Sequence, residues 1–288
     1  MNLKNVLKKK KALLHYNIST FEQFKAGIEA VKETRIPIIF GFSEGEISYL
    51  GLDVIKNLKR YIQEEKLPIF FNGDHIKDFN LAKKLIDMGF DAVLFDNSEL
   101  DFEENILRTK KIVEYKNKRN KKILIEGEIG YIGGGSDVKT YELKDEYITK
   151  VEDAIEFVKR TKVDLLAISV GNIHGIPEKI KYKGKIYKKP ILNFERIKEI
   201  KNAINVPLVL HGGSGLNESD YKKAIENGIS IIHINTEFRK IWKKELEKNL
   251  KKETIVPYKI LNEVVKKIKE AVIYYQKMFY IRHELNSN

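Results

Sequence analysis

Short, almost wholly apolar runs alternate with longer amphipathic segments along this 288-residue chain. That alternation restricts the possible folds more than any other feature. The apolar runs cover residues 12–18, 37–43, 68–74, 91–96, 122–130, 163–170, 207–212 and 229–235. They are rich in β-branched residues. Continuous rather than alternating hydrophobicity marks strands buried on both faces of a parallel sheet. Between them, residues 19–34, 47–66, 78–89, 101–120, 151–162, 193–204, 217–228 and 238–250 carry helical periodicity. The punctuation agrees: Ser19 and Asn217 stand at N-cap positions with Glu22 and Asp220 three residues later, and Gly89 and Gly228 follow helix ends.

Eight βα units are the number that closes a (β/α)8 TIM barrel; a doubly wound open sheet is the alternative. The α/β barrel is expected over about residues 12–250 of a single domain spanning 1–288. A short leading helix (3–10) precedes it, and a C-terminal helical extension (about 251–288) carries a helix at 258–279. No linker, low-complexity tract or second domain interrupts the pattern.

Lys and Arg outnumber Asp and Glu, 53 to 41, for a net charge of +12. Such a balance suits a phosphorylated metabolite or nucleic acid. The lysines, however, alternate with glutamates on outer helix faces, as in "RIKEIKNA", and are not interleaved with aromatics as nucleic-acid contacts are. No nucleic-acid partner is therefore expected. Cysteine is absent, which excludes disulfides and thiolate metal ligands. No run approaches the ~18 apolar residues of a membrane span, and "MNLKNVLKKKKALLHYN" has no long apolar core or small-residue cleavage site. A cytoplasmic protein without membrane contact is the expectation.

In a barrel of this kind the chemistry lies at the C-terminal ends of the strands. Those ends carry Asn17, Ser43, Asp74–His75, "FDNS", "EGEIG", "SVGNIHG", His211 and "HINTE". Four of the six histidines fall at this rim. His75, His174 and His211, from three strands, can converge on one tetrahedral Zn²⁺ and leave its fourth position for substrate. His15 and His283 lie off this pattern and read as structural. Glu128 is placed as a supporting or alternative metal ligand. Asp74 adjoins His75, and strand neighbours point to opposite faces, so the two share a site only if the chain turns there. Gly73 is expected to allow that turn, which makes Asp74 a candidate proton donor and acceptor. "HGGSG", with Gly212, Gly213 and Ser214, reads as a backbone cradle for phosphate.

The segments "NGDHIKDFNLAKKLIDMGFDAVLFDNSELDFEENILRTKKIVEY", "IEGEIGYIGG", "LLAISVGNIHG", "PLVLHGGSGL" and "GISIIHINTE" resemble the class II, metal-dependent ketose-bisphosphate aldolases. Fructose-bisphosphate and tagatose-bisphosphate aldolases are the main members. The resemblance runs from about Leu14 to the end of the eighth βα unit.

It implies Zn²⁺ on His75, His174 and His211, with Glu128 at the alternative metal position. Asp74 becomes the acid/base at the C4 hydroxyl. Gly175, Gly212 and Ser214 hold the phosphate of the dihydroxyacetone phosphate half, and Asn17, Ser43, Asn235 and Thr236 contact substrate. A monovalent cation near the phosphate and a homodimer or homotetramer are also implied. The expected reaction is reversible cleavage of a phosphorylated sugar, fructose 1,6-bisphosphate foremost, with tagatose bisphosphate or non-catalytic binding as alternatives. The strands "DLLAISVGN" and "PLVL" contain no lysine for a Schiff base, which favours metal.

Three departures stand out. "GGGSDV" puts Ser136 where a proton-abstracting Glu is usual, leaving Asp137 as its replacement. His233 occupies a position that is usually Asn and contacts substrate, which implies a shift in sugar preference or pH dependence. Ile76 replaces a glycine.

Overall fold

The computed structural model describes residues 2–8, 11–119, 122–133 and 139–280. Its strands, in chain order, are β1 (Leu13–Asn17), β2 (Ile38–Ser43), β3 (Ile69–Ile76), β4 (Ala92–Phe95), β5 (Leu124–Ile129), β6 (Thr140–Glu142), β7 (Leu165–Ile168), β8 (Lys179–Tyr182), β9 (Lys185–Tyr187), β10 (Leu208–Leu210) and β11 (Ile229–His233). The helices are α1 (Leu3–Val6), α2 (Phe21–Thr34), α3 (Glu44–Leu50), α4 (Leu52–Glu64), α5 (Phe79–Asp87) and α6 (Phe102–Arg119). They continue with α7 (Val151–Thr161), α8 (Phe194–Ala203), α9 (Glu218–Glu226), α10 (Thr236–Asn249) and α11 (Pro257–Tyr280).

Eight strands close a barrel in the order β1-β2-β3-β4-β5-β7-β10-β11, with β11 pairing back onto β1 in parallel. Each falls within, or within two residues of, one of the eight apolar runs. Closure explains the absence of alternation in those runs, because both faces of each strand are buried. One face fills the barrel with Leu13, Ile39, Phe70, Leu124, Leu165, Val209 and Ile231, and Leu3 and Val6 of α1 plug that end together with Leu7, the residue that caps the helix. The other face packs under the helices, where Phe40, Phe71, Phe90, Phe157 and Phe238 are buried. The C-terminal helix α11 joins this outer layer through Val264, Ile268, Val272 and Phe279. No helix among the described residues is long and apolar enough to cross a membrane.

Local boundaries differ from expectation in three places. The cap of α2 is Thr20 rather than Ser19, with Gln23 closing the box: its Oε1 accepts from the backbone N–H groups of both Ser19 and Thr20. The second helical segment starts at Ser43 and is cut in two by Gly51, whose φ of 84° no helix accommodates. A separate sheet, β6-β8-β9, forms where no strands are expected, from the chain after β5 and after β7. The Asn217 capping box with Asp220 is present, and Gly89 and Gly228 have φ of 76° and 119°.

Candidate active site

The barrel mouth takes its shape from a bend at the end of β3. The β3–β4 register shifts between Gly73 and Ile76. His75 itself, not Gly73, adopts the left-handed conformation, with φ of 50°. This corrects the role given to Gly73. A Cβ at Gly73 would lie 2.6 Å from Leu85 Cδ1, so that glycine makes room for packing. A non-glycine residue with positive φ is strained unless its surroundings hold it, and such strain gathers at functional sites. Its effect is that neighbouring Asp74 and His75 both line one cavity of about 170 Å³.

His75, His174 and His211 each present a ring nitrogen within 4.8 Å of the others. The Nδ1–H of His75 donates to Asp96 Oδ2 at 2.7 Å, and Asp96 Oδ1 is in turn held by the N–H and O–H of Ser98. Nδ1 is thereby occupied, and Nε2, buried without a protein partner, is the nitrogen left for a metal once its proton is lost. His211 uses Nε2 to meet Glu126 Oε1 at 2.9 Å, and both side chains are almost wholly buried. Carboxylates behind imidazoles in this way orient metal ligands. Burial pushes His174 and His211 down to about 3, with the nearby His75 charge adding to the effect, so both rings are neutral at pH 7 and ready to ligate. His75 differs: burial lowers it, but Asp74, Asp96 and Glu128 raise it to about 10. A metal there must displace a proton.

Glu128 Oε2 lies 3.9 Å from His75 Nδ1 and is itself buried without a hydrogen-bond partner. Burial, with Asp96 nearby, raises Glu128 to about 8. Three convergent imidazoles, an orphaned His75 Nε2 and a surplus carboxylate oxygen suit a divalent cation.

Asp74 Oδ2 accepts from Asn17 Nδ2 at 2.9 Å, and Oδ1 lies 3.5 Å from His233 Nδ1. Burial alone would raise this carboxyl. The charge on His75 and the His233 N–H outweigh it and hold Asp74 well below the usual carboxylate range. Asp74 is therefore an ionised group able to take up a proton.

The glycine turn after β10 divides its work. Gly212 has φ of 59°, and a Cβ there would sit 2.4 Å from the Ile173 carbonyl oxygen. Only glycine fits. Gly212, Ser214 and Gly175 line the cavity, as do Asn235 and Thr236 at the start of α10, and Asn17 and Ser43 at the ends of β1 and β2. Gly213 does not. Its N–H donates to the His233 carbonyl at 3.0 Å and its carbonyl accepts from Tyr221 Oη at 2.8 Å, so it braces the turn instead of facing a ligand. His233 lines the cavity. Ser136 and Asp137 lie outside the described residues.

Several members of the site escape the sequence reading. Arg239, one turn into α10, is the only Lys or Arg among the described residues lining the cavity. Its Nη2 donates to Glu46 Oε1 at 3.1 Å. Buried Glu46 also accepts from Asn17 Nδ2, Ser19 Oγ and Ser43 Oγ, which links Arg239 to the pair Asn17–Asp74. His15, expected to be structural, stacks on His233 with ring centroids 3.5 Å apart. Glu126 had a readable signal: it lies two residues before Glu128 and so on the same face of β5.

Residues 2–283 match the family described as fructose-bisphosphate aldolase class-II. The chain is 38% identical over 238 residues to a sulfofructosephosphate aldolase of Alkalicoccus urumqiensis, covering 82% of this chain and 79% of that one. It is 34% identical over 277 residues to a fructose-bisphosphate aldolase of Geobacillus stearothermophilus, covering 94% and 92%. The crystal structure of the YdjI aldolase from Escherichia coli K12 superposes with a TM-score of 0.79 at 28% identity, covering 96% of this chain and 93% of that one.

Proposed function

The chain belongs to the class II fructose-bisphosphate aldolase family, and from that premise we propose that it cleaves a ketose 1,6-bisphosphate with Zn²⁺ as its metal. Membership makes it an aldolase, a carbon–carbon lyase of a metal-dependent family that acts on phosphorylated sugars. The finer reading adds fructose 1,6-bisphosphate as the first substrate and dihydroxyacetone phosphate and glyceraldehyde 3-phosphate as products.

One observation carries it: three ring nitrogens within 4.8 Å of one another in a cavity that an ionised Asp74 also lines. His75, His174 and His211, with Glu128 in reserve, would hold a Zn²⁺ ion, which would supply Lewis-acid polarisation of the ketose carbonyl. Asp74 accepts the C4 hydroxyl proton as the C3–C4 bond breaks, the electron pair remaining with the dihydroxyacetone phosphate half. In condensation Asp74 returns that proton. Asn17 and His233 fix the carboxylate for this exchange.

The two phosphates find different partners. Gly175, Gly212 and Ser214, after β7 and β10, hold the C1 phosphate through the exposed backbone and the hydroxyl. Arg239 leans toward α3, on the β1–β2 side of the mouth, and pairs with the C6 phosphate by charge.

Cleavage assays on fructose and tagatose 1,6-bisphosphate test the reading, with a sulfonated fructose phosphate as a third arm because one relative is named for that substrate. Triose phosphate release from fructose 1,6-bisphosphate is expected. Preference for another sugar would reassign the substrate, and cleavage of none would overturn the reading.

A further inference from the structure

Behind the cavity-lining Asn17, Ser43 and Arg239 lies Glu46, in the first turn of α3, to which the reaction above gives no role. A capping box explains part of its placement. Its Oε2 accepts from the backbone N–H of Ser43 at 2.9 Å, as the third residue of a capped helix does. The box accounts for that one bond. At 5% exposure, however, Glu46 is buried, and it accepts from four more donors. Oε2 also takes Ser43 Oγ at 2.7 Å and Asn17 Nδ2 at 2.8 Å. Oε1 takes Ser19 Oγ at 3.0 Å and Arg239 Nη2 at 3.1 Å.

The two oxygens serve different parts of the mouth. On the Oε2 side, the two protons of Asn17 Nδ2 go one to Glu46 and one to Asp74 Oδ2, the latter at 2.9 Å. Both neighbours are carboxylates, which only accept. The amide therefore cannot turn over, because its own carbonyl would then face two oxygens. Asp74 Oδ2 is thereby occupied, and Oδ1, buried without a hydrogen-bond partner, is the oxygen left for the C4 proton.

On the Oε1 side, the same carboxylate reaches α10 and holds the half-exposed guanidinium of Arg239. A charge-assisted bond of this kind fixes direction as well as position. An amide in place of Glu46 does not do both. It has one acceptor oxygen, and its NH2 meets a donor, Asn17 or Arg239, on whichever side it faces.

We propose that Glu46 is a positioning residue that fixes the proton-transfer group and the distal cation relative to each other. Through Asn17 it sets which oxygen of Asp74 meets the C4 hydroxyl. Through Arg239 it sets where the C6 phosphate lands. One carboxylate thus holds the register between the bond that breaks and the far end of the sugar. The inference rests on the aldolase reading above.

Two substitutions separate the arms. Glu46→Gln remains a capping-box residue, so its amide oxygen stays with Ser43 and Asn17 and its NH2 faces Arg239, where no hydrogen bond forms. Glu46→Ala removes both ties. Kinetics are run on whichever of fructose and tagatose 1,6-bisphosphate the wild type cleaves faster, with kcat counted per bound metal so that unfolded protein drops out. Inhibition by dihydroxyacetone phosphate, the half without the C6 group, is measured alongside. KM for the bisphosphate should rise about 3- to 10-fold in both variants, the worth of one lost hydrogen bond. The inhibition constant of dihydroxyacetone phosphate should stay within about twofold. In Glu46→Ala kcat should fall about 3- to 10-fold, and in Glu46→Gln far less. In an Asn17→Ala background, Glu46→Ala should lower kcat no further.

A wild-type kcat in Glu46→Ala, an equal kcat loss in the Asn17→Ala background, a wild-type KM in Glu46→Gln, or an inhibition constant that rises as much as KM would each overturn the proposal. Wild-type protein that cleaves neither bisphosphate would instead overturn the aldolase reading, and this inference with it.

Discussion

Glu126 Oε1 lies 2.9 Å from His211 Nε2, and neither side chain is more than 1% exposed. Burial, with Asp74 nearby, raises Glu126 to about 8, so in the metal-free protein near neutrality the carboxyl donates to Nε2 of a neutral ring whose own proton is on Nδ1. Loss of the carboxyl proton lets Nε2–H donate to Glu126 instead and frees Nδ1 of His211 for a metal. Glu126→Gln keeps the shape but weakens the orienting interaction, and metal affinity is expected to fall about 10- to 100-fold. Competition with a fluorescent chelator measures it.

The raised His75 predicts how metal binding depends on pH. Below about 10 the ring is protonated in the metal-free protein, so metal uptake releases a proton, and apparent affinity should rise roughly tenfold per pH unit while that group dominates. The same shift stabilises the metal-free fold. A folded-state value above the unfolded 6.5 gives stability that is fully present below 6.5 and is lost as pH rises through about 10. Melting curves of chelator-treated protein should therefore fall over that window, and those of metal-loaded protein should not.

Removing the base separates chemistry from binding. Asp74→Ala is expected to lower kcat by about 10²- to 10⁴-fold, the usual contribution of a general acid–base group. Metal content should remain at the wild-type level, because Asp74 is not one of the three converging histidines. Steady-state kinetics with metal analysis on the same sample checks both.

Arg239→Met should act on binding instead. KM for a 1,6-bisphosphate is expected to rise about 10- to 100-fold, the worth of hydrogen bonds to a charged group. A ketose carrying only the C1 phosphate should be far less affected. Equal losses on both sugars would move Arg239 away from the C6 end.

Gly212→Ala tests the cradle. The substituted residue would have to hold φ of 59° with its Cβ 2.4 Å from the Ile173 carbonyl. A loss of about 2 kcal/mol or more is expected from backbone strain and overpacking together. Thermal unfolding reads this, and inorganic phosphate should protect the variant less than it protects the wild type.

The eight strands and the triad His75, His174 and His211 were legible because both leave one-dimensional traces. Doubly buried strands are apolar throughout, and polar residues at their ends mark the rim. What escaped depends on pairings that close late in the chain. His15 looks like any polar residue in an apolar run until β11 sets His233 beside it. Arg239 looks like one more exposed helix cation until α10 turns it over the mouth. The strands β6, β8 and β9 are three or four residues long, β8 and β9 carry lysines, and β6 becomes a strand only by pairing with β8 beyond α7 and β7. The bend at His75 was sought at Gly73 because glycine is the ordinary route to a turn; a strained histidine leaves no mark in composition.

Metal dependence is tested most directly by cleavage of fructose 1,6-bisphosphate in chelator-stripped protein, before and after Zn²⁺ is restored, with borohydride added to substrate-loaded samples. The prediction is one equivalent of Zn²⁺ per chain, activity abolished by stripping and recovered on readdition, and no inactivation by borohydride. Full activity in the stripped protein, or borohydride inactivation through a trapped lysine imine, would contradict it.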